Sequence, residues 1–495
     1  MEVKLKQKEN AFWKAYGWIQ KHIQVSSELV IPDTMDDVKT IVWTQGSILL
    51  KGKEPGVRSM TVQGEALACI LLLTENDAPE MLSLRKEFEC VFDADQMSAD
   101  ALPQITWFLQ GVQGRMLNPR KLAVTFEIQS SLLCFQQETI SVDSSLPEGE
   151  WKGLHILQKN TKALSLSSVI EKPFAVREQI SVSPEQNVPA HLELEQLQIQ
   201  MLGIDQIGSR CILKGECNIT LCGISDNGLP ASLSYRVPFS QLIEIGDCTM
   251  DNPVVRIEPN SVYWERIEKA AGLPEIDLEI HAVIQLRLYS EQEIVTVADA
   301  YNTRMPLRME TEDSTVLSSL EHHICPLHED LTIAGPDDMS ELLASEAKLG
   351  LLTQNGQESS LSLIVDLLYR KVDGSLGCAR RKLAFCVKDL PTGSIILDQR
   401  LMMLRTALEE KTIRISCDAE ILMETASWKV ISAIKVLQLQ EDMALSSVTP
   451  ADLCVVRRGG ESLWELAREY NSSVDLILTC NDPEDPLYLI PAEQA

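Results

Sequence analysis

Histidine and cysteine are the residues of this 495-residue chain that could concentrate chemistry in one place. Among seven histidines, His322, His323 and His328 fall close together beside Cys325, in a stretch rich in Ser, Glu and Pro. Three imidazoles and a thiol at that spacing could ligate a metal, or could lie solvated in a surface loop, and the composition favours the loop. The thirteen cysteines are an odd number, and Cys69, Cys211, Cys217 and Cys386 fall on the apolar side of alternating patterns, as buried thiols do. Zinc would need paired C-x2-C spacing, and Cys211, Cys217 and Cys222 are set too widely for that. No G-x-S-x-G elbow, phosphate-cradling loop or G-x-G-x-x-G turn follows a strand pattern, and the many Asp and Glu residues read as solvated strand faces. The expectation is a chain without catalytic residues, metal or cofactor.

The elements around these residues are strands. From Cys211 the apolar set takes every second place through Leu213, Gly215, Cys217, Ile219 and Leu221, breaks at Asp226-Asn227-Gly228, and resumes at Leu233, Tyr235, Val237 and Phe239. Alternation about a turn that tolerates positive φ is the signature of a half-buried hairpin. The plan occurs three times. An earlier copy alternates from Met60 to Leu72 and turns at Thr74–Pro79, and Val62-Gln63-Gly64-Glu65 matches Leu213-Lys214-Gly215-Glu216. A later copy alternates from Leu361 to Tyr369, turns at Asp373-Gly374 and lacks the Gly-Glu pair. Segments 136–172 and 302–326 read as linkers, with 441–453 as a short polar joint. Tyr263–Ala271 and Leu401–Glu410 could each form a short helix or a bent strand.

Length allows about three to five domains. With 72 acidic against 44 basic side chains the net charge is −28, which argues against nucleic acid and anionic lipid as partners and for a basic or neutral surface. No run of about 18 apolar residues suggests insertion in a membrane, and the first residues do not read as a signal peptide, so a cytoplasmic location is expected.

From about Cys454 the pattern changes. Val455-Val456 precede the turn Arg457-Arg458-Gly459-Gly460; Glu461 or Ser462 is placed to cap a helix carrying Leu463, Trp464, Leu466 and Ala467 to Tyr470. Asn471-Ser472-Ser473 restarts a helix with Val474, Ile477 and Leu478, Asn481-Asp482-Pro483 ends it, and Leu487–Pro491 reads as a last strand.

Gly460-Glu461-Ser462-Leu463-Trp464-Glu465-Leu466-Ala467, with Tyr470, Val474, Ile477 and Asn481, resembles the LysM family, whose domains have a βααβ fold and mostly bind N-acetylglucosamine polymers. The resemblance implies a groove of Gly460, Glu461, Ser462, Leu463, Ile477, Leu478 and Asn481, over a core of Trp464, Leu466, Ala467 and Tyr470. Glu461-Ser462 stands where the family has Asp-Thr, and the segment after Asn481 is several residues shorter than usual. Ile31-Pro32-Asp33, the two Gly-Glu strands, Val237-Pro238-Phe239 and Asp299-Ala300-Tyr301 resemble SPOCS domains. Three such repeats followed by one LysM module are the arrangement of a family of clostridial spore-coat morphogenetic proteins, in which the LysM module is understood to bind the coat-basement ATPase on the forespore.

The resemblance implies a mainly β chain with antiparallel SPOCS-like domains at 1–140, 165–305 and 320–442 and a βααβ LysM domain at 452–495. It further implies a non-enzymatic adaptor in the mother-cell cytoplasm whose partner is the coat ATPase or another coat protein. The alternative is a carbohydrate-binding protein whose LysM module holds peptidoglycan.

Overall fold

The computed structural model describes residues 2–491 apart from 57, 94–99, 147–150, 183–187, 226, 249, 251–252, 269–272, 356–357, 389, 392–393, 441–451, 457–461 and 483–486. It is mainly β, in several antiparallel sheets. After β1 (Glu2–Val3), a first unit opens on β2 (Lys6–Val30). It continues through a meander of β3 (Val38–Gly56), β4 (Ser59–Thr74) and β5 (Pro79–Asp93), and closes on the hairpin β6 (Leu102–Asn118) and β7 (Lys121–Ser145). The same order recurs in β8 (Leu154–Ser181), the meander β9 (Glu193–Ile207), β10 (Arg210–Ile224) and β11 (Pro230–Glu244), and the hairpin β12 (Val254–Ile267) and β13 (Glu275–Asn302). It recurs again in β14 (Leu307–Ala334), the meander β15 (Met339–Asn355), β16 (Glu358–Lys371) and β17 (Leu376–Val387), and the hairpin β18 (Ile395–Glu409) and β19 (Thr412–Leu439). β20 (Asp452–Val456), α1 (Leu463–Glu469), α2 (Val474–Cys480) and β21 (Leu487–Pro491) complete the chain.

Within a unit, the closing strand returns to pair antiparallel with the opening one: Lys121 opposite Val30, Glu275 opposite Ser181, Thr412 opposite Ala334. The meander's apolar face packs on that sheet. In the second unit Cys211, Leu213, Cys217 and Ile219 meet Leu278, Ile280 and Ile284, all buried. Removing each such aliphatic side chain from water contributes roughly 1.5–3 kcal/mol, which is what the strict alternation secures.

The Gly-Glu pair has a steric cause. Gly64 lies opposite Phe88 and Gly215 opposite Phe239, and a Cβ on either glycine would come within 2.5 or 2.4 Å of the phenylalanine Cζ. The ring lies where the glycine's side chain would be, covering its backbone. In the third unit Leu361 lies opposite Phe385 instead, so that copy packs leucine against phenylalanine and has no glycine there.

The opening and closing strands run well past the meanders. β2 and β7 have 25 residues each, and β8, β13, β14 and β19 have 28, against a usual strand of about five or six. Their extensions form two-stranded ribbons that pack together as a central column. One apolar cluster there draws Leu133 and Phe135 from the first unit, Leu166 and Tyr289 from the second and Leu320 from the third. Another joins Val3, Leu154, Val297, Ala300, Ile434 and Leu437 at the ribbon ends. There β1 adds to β19, Glu2 opposite Gln438 and Val3 opposite Leu437.

These ribbons correct two expectations. Segments 136–172 and 302–326 are largely strand, not linker: they supply the end of β7, most of β8 and much of β14. Their polarity arises because much of a ribbon's surface faces water, while its backbone is satisfied by the partner strand whatever its side chains. His322, His323 and His328 accordingly lie on β14 and not in a loop. The described part of Tyr263–Ala271 and nearly all of Leu401–Glu410 are strand, in β12 and β18; β18 carries a register shift between Leu401 and Met403, a bend that lets the apolar residues keep facing the core. The joint at 441–453 falls outside the described residues except for the start of β20.

Candidate functional site

The C-terminal module is built from two short capped helices between paired strands. Ser462 begins α1 with a capping box: its Oγ accepts from the Glu465 amide at 3.2 Å, and the Glu465 carboxylate accepts from the Ser462 amide at 2.8 Å. The backbone and hydroxyl bonds from Ser462 hold the Glu465 carboxyl below its ordinary pKa. Ser473 caps α2 by accepting from the Leu476 amide at 3.1 Å. β20 and β21 pair antiparallel, Val455 opposite Tyr488, and the core beneath holds Leu466, Ala467, Ile477, Tyr488 and Ile490.

The residues singled out from sequence separate into distinct places. Gly460 and Glu461 lie outside the described residues. Ile477 is fully buried in the core, Leu463 is half-buried against it, and Leu478 is exposed. The Asn481 amide donates to the Ile477 and Leu489 carbonyls at 2.7 and 2.6 Å and accepts from the Leu489 amide at 2.6 Å. It ties the end of α2 to β21. Leu466 and Ala467 are buried, and Tyr470 packs on the same core.

Trp464 does more than fill this core. Its indole N–H donates to Asp299 Oδ2 at 2.8 Å, and the Arg468 guanidinium donates to the same oxygen at 2.7 Å. Asp299 Oδ1 accepts from the Ala300 amide at 2.9 Å, so both oxygens are engaged. Tyr301 enters the module's apolar cluster, donates its hydroxyl to the Ser472 carbonyl at 2.7 Å, meets Trp464 edge-on at 4.8 Å and stacks on His155 at 5.0 Å. A register shift between Val297 and Asp299 at the end of β13 aims these side chains at the tail. The Asp299-Ala300-Tyr301 motif is thus the seat of the C-terminal module. The sequence marks the motif and the module, but nothing local to either says that they meet. Elsewhere on the module Leu478 is exposed, as are Leu487 and Leu489, which share the outer face of β21.

A second polar seam lies in the central column. Counting from Lys121, Glu275 and Thr412, which open the closing strands, Leu133, Arg287 and Glu424 occupy equivalent places, and the column brings the last two together. Arg287, only 1 % exposed, donates to Glu424 Oε2 at 3.0 Å and to the Tyr289 hydroxyl at 2.9 Å, with the Phe135 ring 5.0 Å from the guanidinium. His322 Nε2 lies 3.6 Å from the same carboxylate. Burial pushes the Glu424 carboxyl up, but His322 and Arg287 outweigh it and hold it below its ordinary pKa. Sequence reasoning passed over this pair; its signal was a charge in an apolar run, Leu286-Arg287-Leu288.

Where the inner meander strands β3, β9 and β15 approach the column they bound a cavity of about 260 Å³ whose lining includes Trp107, Arg256, Glu258 and Lys348. Beside it Lys348 donates to Gln45 Oε1 at 2.6 Å, and Gln45 donates to Asp366 at 3.1 Å, joining the third unit to the first. Glu346, 3.8 Å from Lys348, is pushed up to about 8 by burial, with Lys348 opposing and Glu195 and Asp366 adding to the rise. Burial also raises the thiols of Cys134 and Cys217, to about 11 and about 12, the reverse of what a nucleophile needs. Among the described residues no group of three or more His, Cys, Asp or Glu is placed to hold a metal ion, and no helix is long and apolar enough to cross a membrane. Comparison of the chain with protein-family models, with curated proteins and with solved structures finds no match.

Proposed function

We propose that this chain is a non-enzymatic assembly adaptor: three SPOCS-like β domains carrying a C-terminal LysM-like module that docks on a coat-basement partner protein at the forespore surface. The observation that carries the reading is the C-terminal module, which is seated on Asp299 and Tyr301 and keeps Leu478, Leu487 and Leu489 exposed. A small module tied by polar bonds to its own chain and leaving leucines outward suits a protein partner, since apolar anchors dominate such interfaces. The engagement of the Asn481 amide within the module supports a protein over a glycan, which would need free amide groups. The residues resembling SPOCS and LysM motifs supply the sporulation context, and with it the mother-cell cytoplasm as the location.

The test is recruitment. A fluorescent fusion of the full chain should encase the forespore, and Leu487→Glu/Leu489→Glu should leave the chain folded but diffuse. Binding of the full chain to insoluble peptidoglycan, undiminished by those substitutions, would instead establish the carbohydrate reading. Normal coat encasement by a chain lacking the C-terminal module would refute the adaptor role of that module.

A further inference from the structure

The outer meander strands β5, β11 and β17 occupy the same place in the three units, and each is a sheet edge. An edge strand invites pairing unless something blocks it. In the first two units it is blocked. β5 starts on Pro79 and carries Glu80, Glu87, Glu89 and Asp93; β11 starts on Pro230 and has Pro238 in its interior. In addition, a lysine from the opening strand reaches across to each edge. Lys21 of β2 donates to the Val91 carbonyl of β5, and Lys172 of β8 donates to the Leu242 carbonyl of β11 at 2.5 Å. The two lysines are equivalent, since they lie opposite Ser130 and Ile284 at matching places on the closing strands.

The third unit lacks all of these protections. The residue opposite the matching Ile421 is Cys325, which cannot extend a charged donor across the gap. β17 contains no proline and no acid, and pairs with β16 without a register shift from Leu376 to Val387, the regular geometry that a further strand needs. Its charges are all positive. Arg380 is committed to Asp366 at 2.6 and 2.9 Å, whereas Arg381, Lys382 and, just beyond the strand, Lys388 have no carboxylate within ion-pair distance among the described residues. In a chain of net charge −28 this is a local reversal of sign on the least guarded edge.

We propose that the outer edge of β17 is a docking site for an extended acidic segment of a partner protein, which adds to the third meander as a fourth strand. Backbone bonds to the edge supply the geometry, and Arg381, Lys382 and Lys388 select acidic over neutral sequences. This site is on a different unit from the C-terminal module and does not depend on what that module binds.

The probe is a fluorescein-labelled peptide of alternating Glu and Val, about as long as β17, titrated into the full chain and followed by anisotropy. Saturable binding that weakens with salt is expected, with loss of about tenfold or more in affinity in Arg381→Glu/Lys382→Glu. Cys325→Lys, which restores the lysine of the other two units, should weaken binding as well. The same peptide with its central valine replaced by proline should bind far less, since it cannot complete the ladder. Circular dichroism melts matching the wild type establish that the variants are folded, and Lys172→Gln in the second unit is the control that leaves the β17 site unchanged. Equal affinity in Arg381→Glu/Lys382→Glu, indifference to the central proline, or no binding to the wild type would each overturn the proposal. Salt-sensitive self-association of the chain, abolished by the same double substitution and competing with the peptide, would overturn the partner assignment and make a second copy the occupant.

Discussion

The two polar seams of this molecule join parts of one chain by opposite means. In the central column, Arg287 and Glu424 are almost wholly withdrawn from water, with Phe135 of the first unit over the guanidinium. At the seat of the C-terminal module, Asp299 receives Trp464 and an Arg468 whose side chain is half exposed. A buried ion pair gains little over an apolar packing, yet is costly to break, so the column tolerates no exchange of its three copies. An exposed pair is worth little, and the seat is held mainly by Tyr301 and Trp464. One seam fixes which unit goes where; the other seats a small module at the end of β13.

The comparison breaks first at Glu424. Glu424→Leu leaves the Arg287 charge buried and alone, and should cost about 3–5 kcal/mol in urea unfolding. The double substitution Arg287→Leu/Glu424→Leu should recover most of that, because it removes both buried charges and leaves apolar side chains beside Phe135; no recovery would mean that the pair does more than neutralise itself. Next is Glu346, beside the column. Its folded-state pKa lies above its ordinary value of 4.5, at about 8, so the folded chain keeps a proton that the unfolded chain releases. Stability should therefore fall as pH rises from about 4.5 to about 8 and level off beyond, and Glu346→Gln should flatten that slope. Thermal melts across the range read this directly.

At the other seam, Tyr301→Ala removes the ring and hydroxyl that enter the C-terminal module and should weaken its seating by about 2 kcal/mol. Limited proteolysis should then release the module while the column still melts as in the wild type. The smallest effect is Ser462→Ala, which deletes one side of the capping box and should lower the module's own stability by about 1 kcal/mol. Loss of column stability in either variant would show that the two seams are coupled.

The sequence made β10 legible because along most of its length one face lies in the core and the other is less buried, whereas β4 is buried on both faces from Gly64 to Thr74 and was read from its first half and its turn. The turns also announced themselves: Thr74 closes on Ala78, and Gly228 and Gly374 adopt the positive φ of +69° and +86° that their turns require. The two helices were legible from Ser462 and Ser473, whose side chains cap them. The ribbons were hidden because their strand state is set by a partner far along the chain and not by their own pattern. Cross-unit contacts were hidden for the same reason: Asp299 carries no mark that Trp464 and Arg468 will reach it. Arg287 and Glu424 were concealed by an assumption, that charge belongs outside, which fails where equivalent positions of the units converge.

The pairing of β1 with β19 has a consequence for how the chain is made. Val3 cannot take its place until Leu437 has been synthesised, so β1 must wait for the far end of β19. Contacts of such sequence separation form late and slowly. The first two units can mature during translation, but the column is sealed only once β19 has been made.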